Sequence, residues 1–454
     1  VEHVENEFAR LFSGVPSRKE LAGRFFGKTL PFQGKISFDG DTVLWATSEI
    51  QTYWNSRIYS EYSSNGWITG SSDKVRIGPG HAPIPPQESF NRIPIDQNVQ
   101  VGFDTSNLFS GGNLQWVTRP IEAEILQPKQ FEIDMYDLSE DDKFPLEVQE
   151  LAKQIRYLVN EAHLVVGESE MDKLPRRVAE ISKLLPSDMV IKDILPKYKE
   201  PGPSVGSGTP VRIDSLVLAR KNPIASDIIA WEFIKDVTIN ESYSMGSLVT
   251  NVTDRDLRES STNYSGFVKD HYLQLPNSLP TRVVELALQL TAEADTPLDK
   301  AFLIQSFLRS DKFEYSQDID VPPVNSDGVD HFLFETRRGY SDYFASSMVV
   351  MLRASGVPSR LAVGYAPGVL DEETGMWSVF DSDSHAWVQV YFSGHGWIDF
   401  QPTSKWDIAR RNPDTPSHVD RVDLGPSESQ INSNLLPGDP CDDPNDPRYV
   451  EELC

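Results

Sequence analysis

Cysteine is nearly missing from this sequence. Its 454 residues include two thiols, Cys441 and Cys454, and both lie at the extreme C-terminus. That scarcity excludes a Cys-x-x-Cys zinc site, and it excludes any thiol nucleophile before residue 441. The pair either closes one small disulfide loop in an oxidising compartment or stays as two free thiols on a tail. Long apolar runs are missing as well. Stretches such as Met348 to Leu352 reach five or six residues, whereas a membrane-spanning helix needs ~18. No secretion signal is visible at Val1, and the missing initiator Met reads as a fragment or a processed chain. Positive charge is scarce: 42 Lys and Arg face 68 Asp and Glu, a net of -26, with no dense basic cluster. Nucleic acid and anionic lipid are therefore excluded as main partners. Neither a GxxxxGK phosphate loop nor an HExxH metal motif occurs.

What is present is the composition of a folded protein, 39% hydrophobic and 24% charged. The length allows two to four domains at roughly 100–200 residues each. Residues 1–30 read as an amphipathic helix and linker, with Val4, Phe8, Leu11 and Phe12 at helical spacing. From 31 to 265 short alternating runs are broken by Asn-Gly, Gly-Gly and Pro clusters, the pattern of antiparallel strands. Within that β-rich region, 145–205 reads as a helical insertion. Leu151, Ile155, Leu158, Val159 and Ala162 mark one helix face, and a second helix is expected over Arg177–Leu185. Residues 266–410 form a separate core. The tail 411–454 carries 10 acidic residues, 3 basic residues and 7 prolines, so it reads as an unstructured tether. Its Asp439, Asp442, Asp443 and Asp446 are either a loose Ca²⁺ site or a solvated acidic linker.

The densest chemistry lies between 331 and 406. A helix is expected to follow Gly339 as far as Arg353, with Phe344, Ala345, Met348 and Leu352 inward and Gly356-Val357-Pro358 as its stop. Ser341 falls on the inward face of the first turn, where unpaired N–H donors and the helix dipole favour an anion or oxyanion. The plain alternative for a Ser there is an N-cap. A strand over 385–391 places His385, Trp387, Gln389 and Tyr391 on one face. After the Gly394-His395-Gly396 turn the chain returns with Asp399 and Gln401, both able to face the imidazole. A helix-start nucleophile, a strand-borne His and a polar orienting residue make the layout of acyl transfer.

These segments resemble a known family. Gly339-Tyr340-Ser341-Asp342-Tyr343-Phe344-Ala345, the run Met348 to Arg353, Gly356 to Arg360, Gly364-Tyr365, His385 to Val388 and Gly396 to Thr403 are similar to the transglutaminase-like core. The subgroup most resembled is the extracytoplasmic domain of bacterial membrane-anchored TgpA-type transglutaminase-like proteins. The resemblance is strong over about 265–406. It is weaker over about 30–265, where Tyr53-Trp54 and Tyr59 to Trp67 carry it. It implies an α+β, papain-like fold in which a nucleophile helix packs on an antiparallel sheet carrying the His. It also implies an extracytoplasmic domain, tethered to the membrane by segments absent from this chain, that acts on a protein or peptide. The family position matching Ser341 is usually Cys, and that matching Gln401 is usually Asp or Glu.

The resemblance makes Ser341, His385 and Gln401 the candidate triad, with Asp399 as a substitute third member. Tyr340, Trp387 and Trp397 read as packing residues beside the site, in the vicinity of substrate and oxyanion, where a Trp or Tyr could also donate a hydrogen bond to the oxyanion. A neutral Gln401 can still accept a hydrogen bond from the imidazole through its amide oxygen, but it cannot stabilise an imidazolium as a carboxylate does. Ser341 needs concerted removal of its proton by His385. Three functions follow. The first is acyl transfer or amide hydrolysis, impaired by Ser at the Cys position. The second is an inactive pseudoenzyme that binds or scaffolds a peptide or protein. The third puts ligand binding in the β-rich region. No cofactor is implied, apart from Ca²⁺ by loose analogy with some family members. All readings require the Ser341 hydroxyl and the His385 imidazole to meet in one cleft.

Overall fold

Alternation of small, β-branched and aromatic residues sets this chain into sheets, and helix Ser341–Ala354 packs on one of them. The structure, a computed structural model, describes residues 26–81, 91–139, 141, 144–161, 174–198, 210–221 and 227–407. The expected N-terminal helix up to residue 25, the acidic tail and both cysteines lie outside the described residues. Two compact units are present. One draws on the described residues of Val1–Leu126, Ala225–Tyr264 and Tyr272–Cys454, the other on those of Gln127–Ile224 and Ser265–His271.

The smaller unit pairs Gln130–Asp134 and Met189–Tyr198 on either side of Pro210–Arg220, all antiparallel. Helices Leu146–Glu161 and Leu174–Leu184 accompany this sheet. Leu151, Ile155 and Val159 join Phe131, Ile133, Leu216 and Leu218 in one core. The helices expected within 145–205 are therefore present, but the insertion is not purely helical. Met189–Tyr198 is a strand, and the unit extends from 127 to 224. Its strand periodicity at Met189, Ile191 and Ile194 is interrupted by Lys192 and Asp193, at a register shift in the ladder, which hides the strand from an alternation count.

The larger unit holds an eight-stranded antiparallel sheet. Its order is Gly396–Phe400, Ser384–Phe392, Ser359–Tyr365, Trp54–Tyr59, Ile228–Val237, Ile121–Leu126 and Ser72–Ile77, with Thr105–Asn107 also on Ile228–Val237. A six-stranded sheet runs Val369–Asp371, Met376–Phe380, Thr42–Ser48, Arg92–Val101, Ser242–Thr250 and Asn113–Val117. Both sheets mix strands from either side of residue 265. The boundary read between 31–265 and 266–410 therefore does not separate two structures. Local sequence marks where strands begin and end, but not which distant strand completes the ladder.

The α+β class and the helix-on-sheet core stand as expected. Helix Ser341–Ala354 packs on strands Ser384–Phe392 and Ser359–Tyr365 and is flanked by helices Thr281–Leu290 and Pro297–Leu308. It is buried on all sides from Ser341 to Arg353, so its polar residues need internal partners. Trp67 Nε1 donates to Ser346 Oγ at 2.8 Å. The Arg353 guanidinium donates to the Ser359 carbonyl at 2.7 and 2.9 Å, tying the helix end to the next strand. The helix closes with Gly356 at φ 77°, with Val357 N–H on the Leu352 carbonyl and Gly356 N–H on that of Arg353. That is a Schellman ending, which needs the left-handed residue glycine provides.

Gly364 sits where the sheet is tightest, between His385 and Asn55 on its two neighbouring strands. A Cβ there would lie 1.9 Å from the Trp54 carbonyl oxygen. Gly364→Ala must push the Trp54–Tyr59 strand away, and is expected to destabilise by at least about 2 kcal/mol. Urea unfolding measures it. A loss within about 0.5 kcal/mol, the size of a neutral surface change, would refute the close approach.

Candidate active site

The start of helix Ser341–Ala354 and the strand Ser384–Phe392 bring the first two candidates together. Ser341 is 4% exposed and His385 2%. The Ser341 hydroxyl accepts the backbone N–H of Ala386, the residue after His385, at 3.2 Å. On its donor side, the Asp342 carboxylate oxygen lies 3.5 Å away. Ser341 is the first helical residue and Tyr340 occupies the cap position, so Ser341 is not the N-cap. No hydrogen bond joins Ser341 to His385 among the described residues, and His385 Nδ1 is buried without a hydrogen-bond partner there.

The third candidate arrives from just beyond the last strand. Strand Gly396–Phe400 pairs Gln389 with Asp399 and Val388 with Phe400, and Gln401 follows, fully buried. Its amide meets His385 Nε2 with the nitrogen, Nε2 to Nε2 at 2.5 Å. The same nitrogen donates to the Tyr53 hydroxyl at 3.0 Å. The amide oxygen accepts the Thr403 backbone N–H at 3.0 Å. This corrects the expectation that the oxygen faces the imidazole. Two residues on, a backbone N–H requires an acceptor, and only the oxygen can be one.

Asp399 lies elsewhere in the network. Its carboxylate accepts from Trp387 Nε1 at 3.0 Å and Gln389 Nε2 at 2.8 Å, with no bond to His385. Gln389 continues to Arg360, and Arg360 to Asp227. Asp399 thus steadies Trp387, not the imidazole. Burial pushes its carboxyl above the usual range, opposed by those two donors.

Of the three aromatic residues expected beside the site, two spend their donors elsewhere. Tyr340 spends its hydroxyl on the Gln33 carbonyl at 3.0 Å. Trp387 spends its indole N–H on Asp399. Trp397 packs on Tyr272 and Tyr391 beneath the Arg360 guanidinium, 4.0 Å from the ring centre. Trp387 does stack near-parallel to the imidazole, 6.2 Å between ring centres.

Several residues of the site were not singled out for it in the sequence. The Tyr53 ring lies parallel to Trp387 at 4.8 Å and to His385 at 5.8 Å. Trp406 lies 5.0 Å from the imidazole. Arg309 donates to the carbonyls of Gln401, Thr403 and Trp406 at 3.1, 2.7 and 2.9 Å. Gln305 accepts the Gln401 backbone N–H at 3.1 Å. The Tyr53-Trp54 pair carried a signal through the family resemblance. Gln305 and Arg309 carried none, since their role depends on a loop about ninety residues away in sequence. Among the described residues, no group of three His, Cys, Asp or Glu side chains is arranged to hold a metal ion.

Burial pushes the His385 imidazole down to about 3, opposed by its hydrogen bond with Gln401 and aided by the Lys405 ammonium. The folded protein therefore holds this ring neutral, while the unfolded chain protonates it below ~6.5. The unfolded state binds the extra proton between those values, so stability falls as pH drops from ~6.5 towards 3. At about pH 4 the loss from this group is roughly 3 kcal/mol relative to pH 7. Urea unfolding of wild type and His385→Gln at both pH values tests this, with the variant losing less in acid by about that amount. Equal acid losses would show that the ring is not held neutral.

Residues 284–402 match the family model described as the transglutaminase-like superfamily. Over 152 residues the chain is 41% identical to the uncharacterized protein YebA of Bacillus subtilis, covering 32% of this chain and 20% of that protein. Over 148 residues it is 36% identical to the protein-glutamine gamma-glutamyltransferase of Pseudomonas aeruginosa, covering 32% and 21%. The chain thus spans about a fifth of the length of these curated relatives. The crystal structure of the periplasmic domain of TgpA from Pseudomonas aeruginosa aligns with 83% of this chain and 93% of that one, at 16% identity and a TM-score of 0.42. With the helix–sheet core and its sequence matches in hand, residues 284–402 are a domain of the transglutaminase-like superfamily.

Proposed function

We propose that this domain holds a protein or peptide through its amide groups at the Ser341–His385–Gln401 cleft, with acyl transfer suppressed. The observation that carries the reading is the Ser341 hydroxyl. It is held by the Ala386 N–H and has no hydrogen bond to His385. A hydroxyl cannot be pre-ionised as a thiol can, and it attacks only when a base within reach takes its proton. A neutral Gln401 also gives no support to an imidazolium. Two of the three positions depart from the family's usual residues, and both departures weaken the same step. An extracytoplasmic setting, with membrane tethering through segments outside this chain, belongs to the same proposal and comes from the family resemblance. Alkaline-phosphatase fusions to the parent gene would test it.

Activity is tested by incubating the chain with a glutamine-bearing protein and a fluorescent primary amine while following ammonia release. The expected result is no transfer above that of Ser341→Ala. Transfer that Ser341→Ala abolishes would make Ser341 a true nucleophile and overturn the reading. Binding is tested by titrating a glutamine-containing peptide against tryptophan fluorescence, since Trp387 and Trp406 flank the imidazole. A saturable change that His385→Gln removes is expected. No change with amide-bearing peptides would overturn the binding function.

A further inference from the structure

The amide of Gln401 has one acceptor and two donors, and each is assigned. The Thr403 backbone N–H can only donate, and it takes the oxygen at 3.0 Å. The nitrogen carries two hydrogens and faces two atoms, the Tyr53 hydroxyl and His385 Nε2. Turning the amide over would set its N–H₂ against the Thr403 N–H, donor against donor, and lose that bond. His385 Nε2 must therefore offer a lone pair, and a neutral imidazole that accepts at Nε2 carries its hydrogen on Nδ1. Nδ1 is the ring nitrogen with no partner among the described residues. The Ser341 hydroxyl agrees with this. It donates to an oxygen of Asp342 at the limit of hydrogen-bond distance and makes no hydrogen bond to the imidazole.

We propose that Gln401 is a positioning residue that fixes His385 with its proton on Nδ1. The buried Nδ1 then carries a hydrogen-bond donor and no lone pair, so a ligand that reaches it must present a carbonyl-type acceptor oxygen such as that of a peptide carboxamide. This rests on the amide-holding reading of the site and explains why that site holds without turning over. A base must present a lone pair to the hydroxyl, and here the lone pair is spent on Gln401. A carboxylate at 401 would reverse the arrangement. Its two oxygens can accept from Thr403 N–H, from Tyr53 and from a protonated Nε2, which leaves Nδ1 free to take a proton or to share one with a thiolate. Serine at 341 and glutamine at 401 are thus two separate blocks, and removing one leaves the other.

Two measurements test this, and both read the imidazole rather than peptide binding, so a failed peptide titration leaves them interpretable. The first needs no substitution in the network. Long-range ¹H–¹⁵N correlation spectra of the histidine-labelled chain, with His385 identified by its loss in His385→Gln, are expected to show a protonated Nδ1 and an unprotonated Nε2 near neutral pH. A protonated Nε2 would overturn the proposal. The second follows alkylation of Ser341→Cys by iodoacetamide against pH. Alone, this variant is expected to behave as an ordinary thiol with a pKa of ~8.5. Combined with Gln401→Glu, it is expected to react at least about tenfold faster near pH 6, as a one-unit drop in pKa requires. A low thiol pKa in Ser341→Cys alone would overturn the proposal, because glutamine would then already permit the ion pair.

Discussion

The Thr403 backbone N–H donates to the Gln401 amide oxygen, and the polarity of the site follows from that bond. A main-chain donor has no alternative role, so the amide cannot choose which end to present to His385. The fixed end then fixes the ring. Arg309 holds the carbonyls of residues 401, 403 and 406 in place, and Gln305 holds the Gln401 N–H. The loop that delivers the glutamine is therefore anchored to the end of helix Pro297–Leu308, not left to side-chain packing. Breaking that anchor would free the amide to turn and remove the constraint on the imidazole.

The neighbouring layers serve the same end. Tyr53, His385 and Trp387 lie as near-parallel rings, which limits how the imidazole can rotate. Trp387 is in turn held by Asp399, and Asp399 by Gln389, with Arg360 and Asp227 beyond. A buried carboxylate is tolerated there because two donors converge on it. Such a network holds Trp387 in place beside the imidazole.

Much of the core could be read from the sequence because its signals are local. The helix from Ser341 to its Gly356 stop, the strand through His385 and the Gly-rich turn before Asp399 each carry their own periodicity or turn residues. The family resemblance added the pairing of Ser341 with His385 and the third place at Gln401; the Gln401 amide lies on the imidazole, while the Ser341 hydroxyl lies on the Ala386 backbone N–H. Other expectations failed where a residue's partner is distant. Asp399 and Trp397 share strand spacing with Gln401 and Trp387, but spacing does not show which neighbour a side chain engages. Tyr340 lies beside Ser341 in sequence, yet its hydroxyl reaches Gln33.

The sequence alone determined the local elements and the types of chemical group available: a hydroxyl, an imidazole and an amide, with no thiol before the tail. These are properties of single residues and of short-range periodicity. Only the tertiary structure decided that strands on both sides of residue 265 share one sheet, and that the glutamine turns its nitrogen to the ring. A hydrogen bond's direction depends on every donor around it, and the decisive one here belongs to a backbone whose path is set by a helix about ninety residues away.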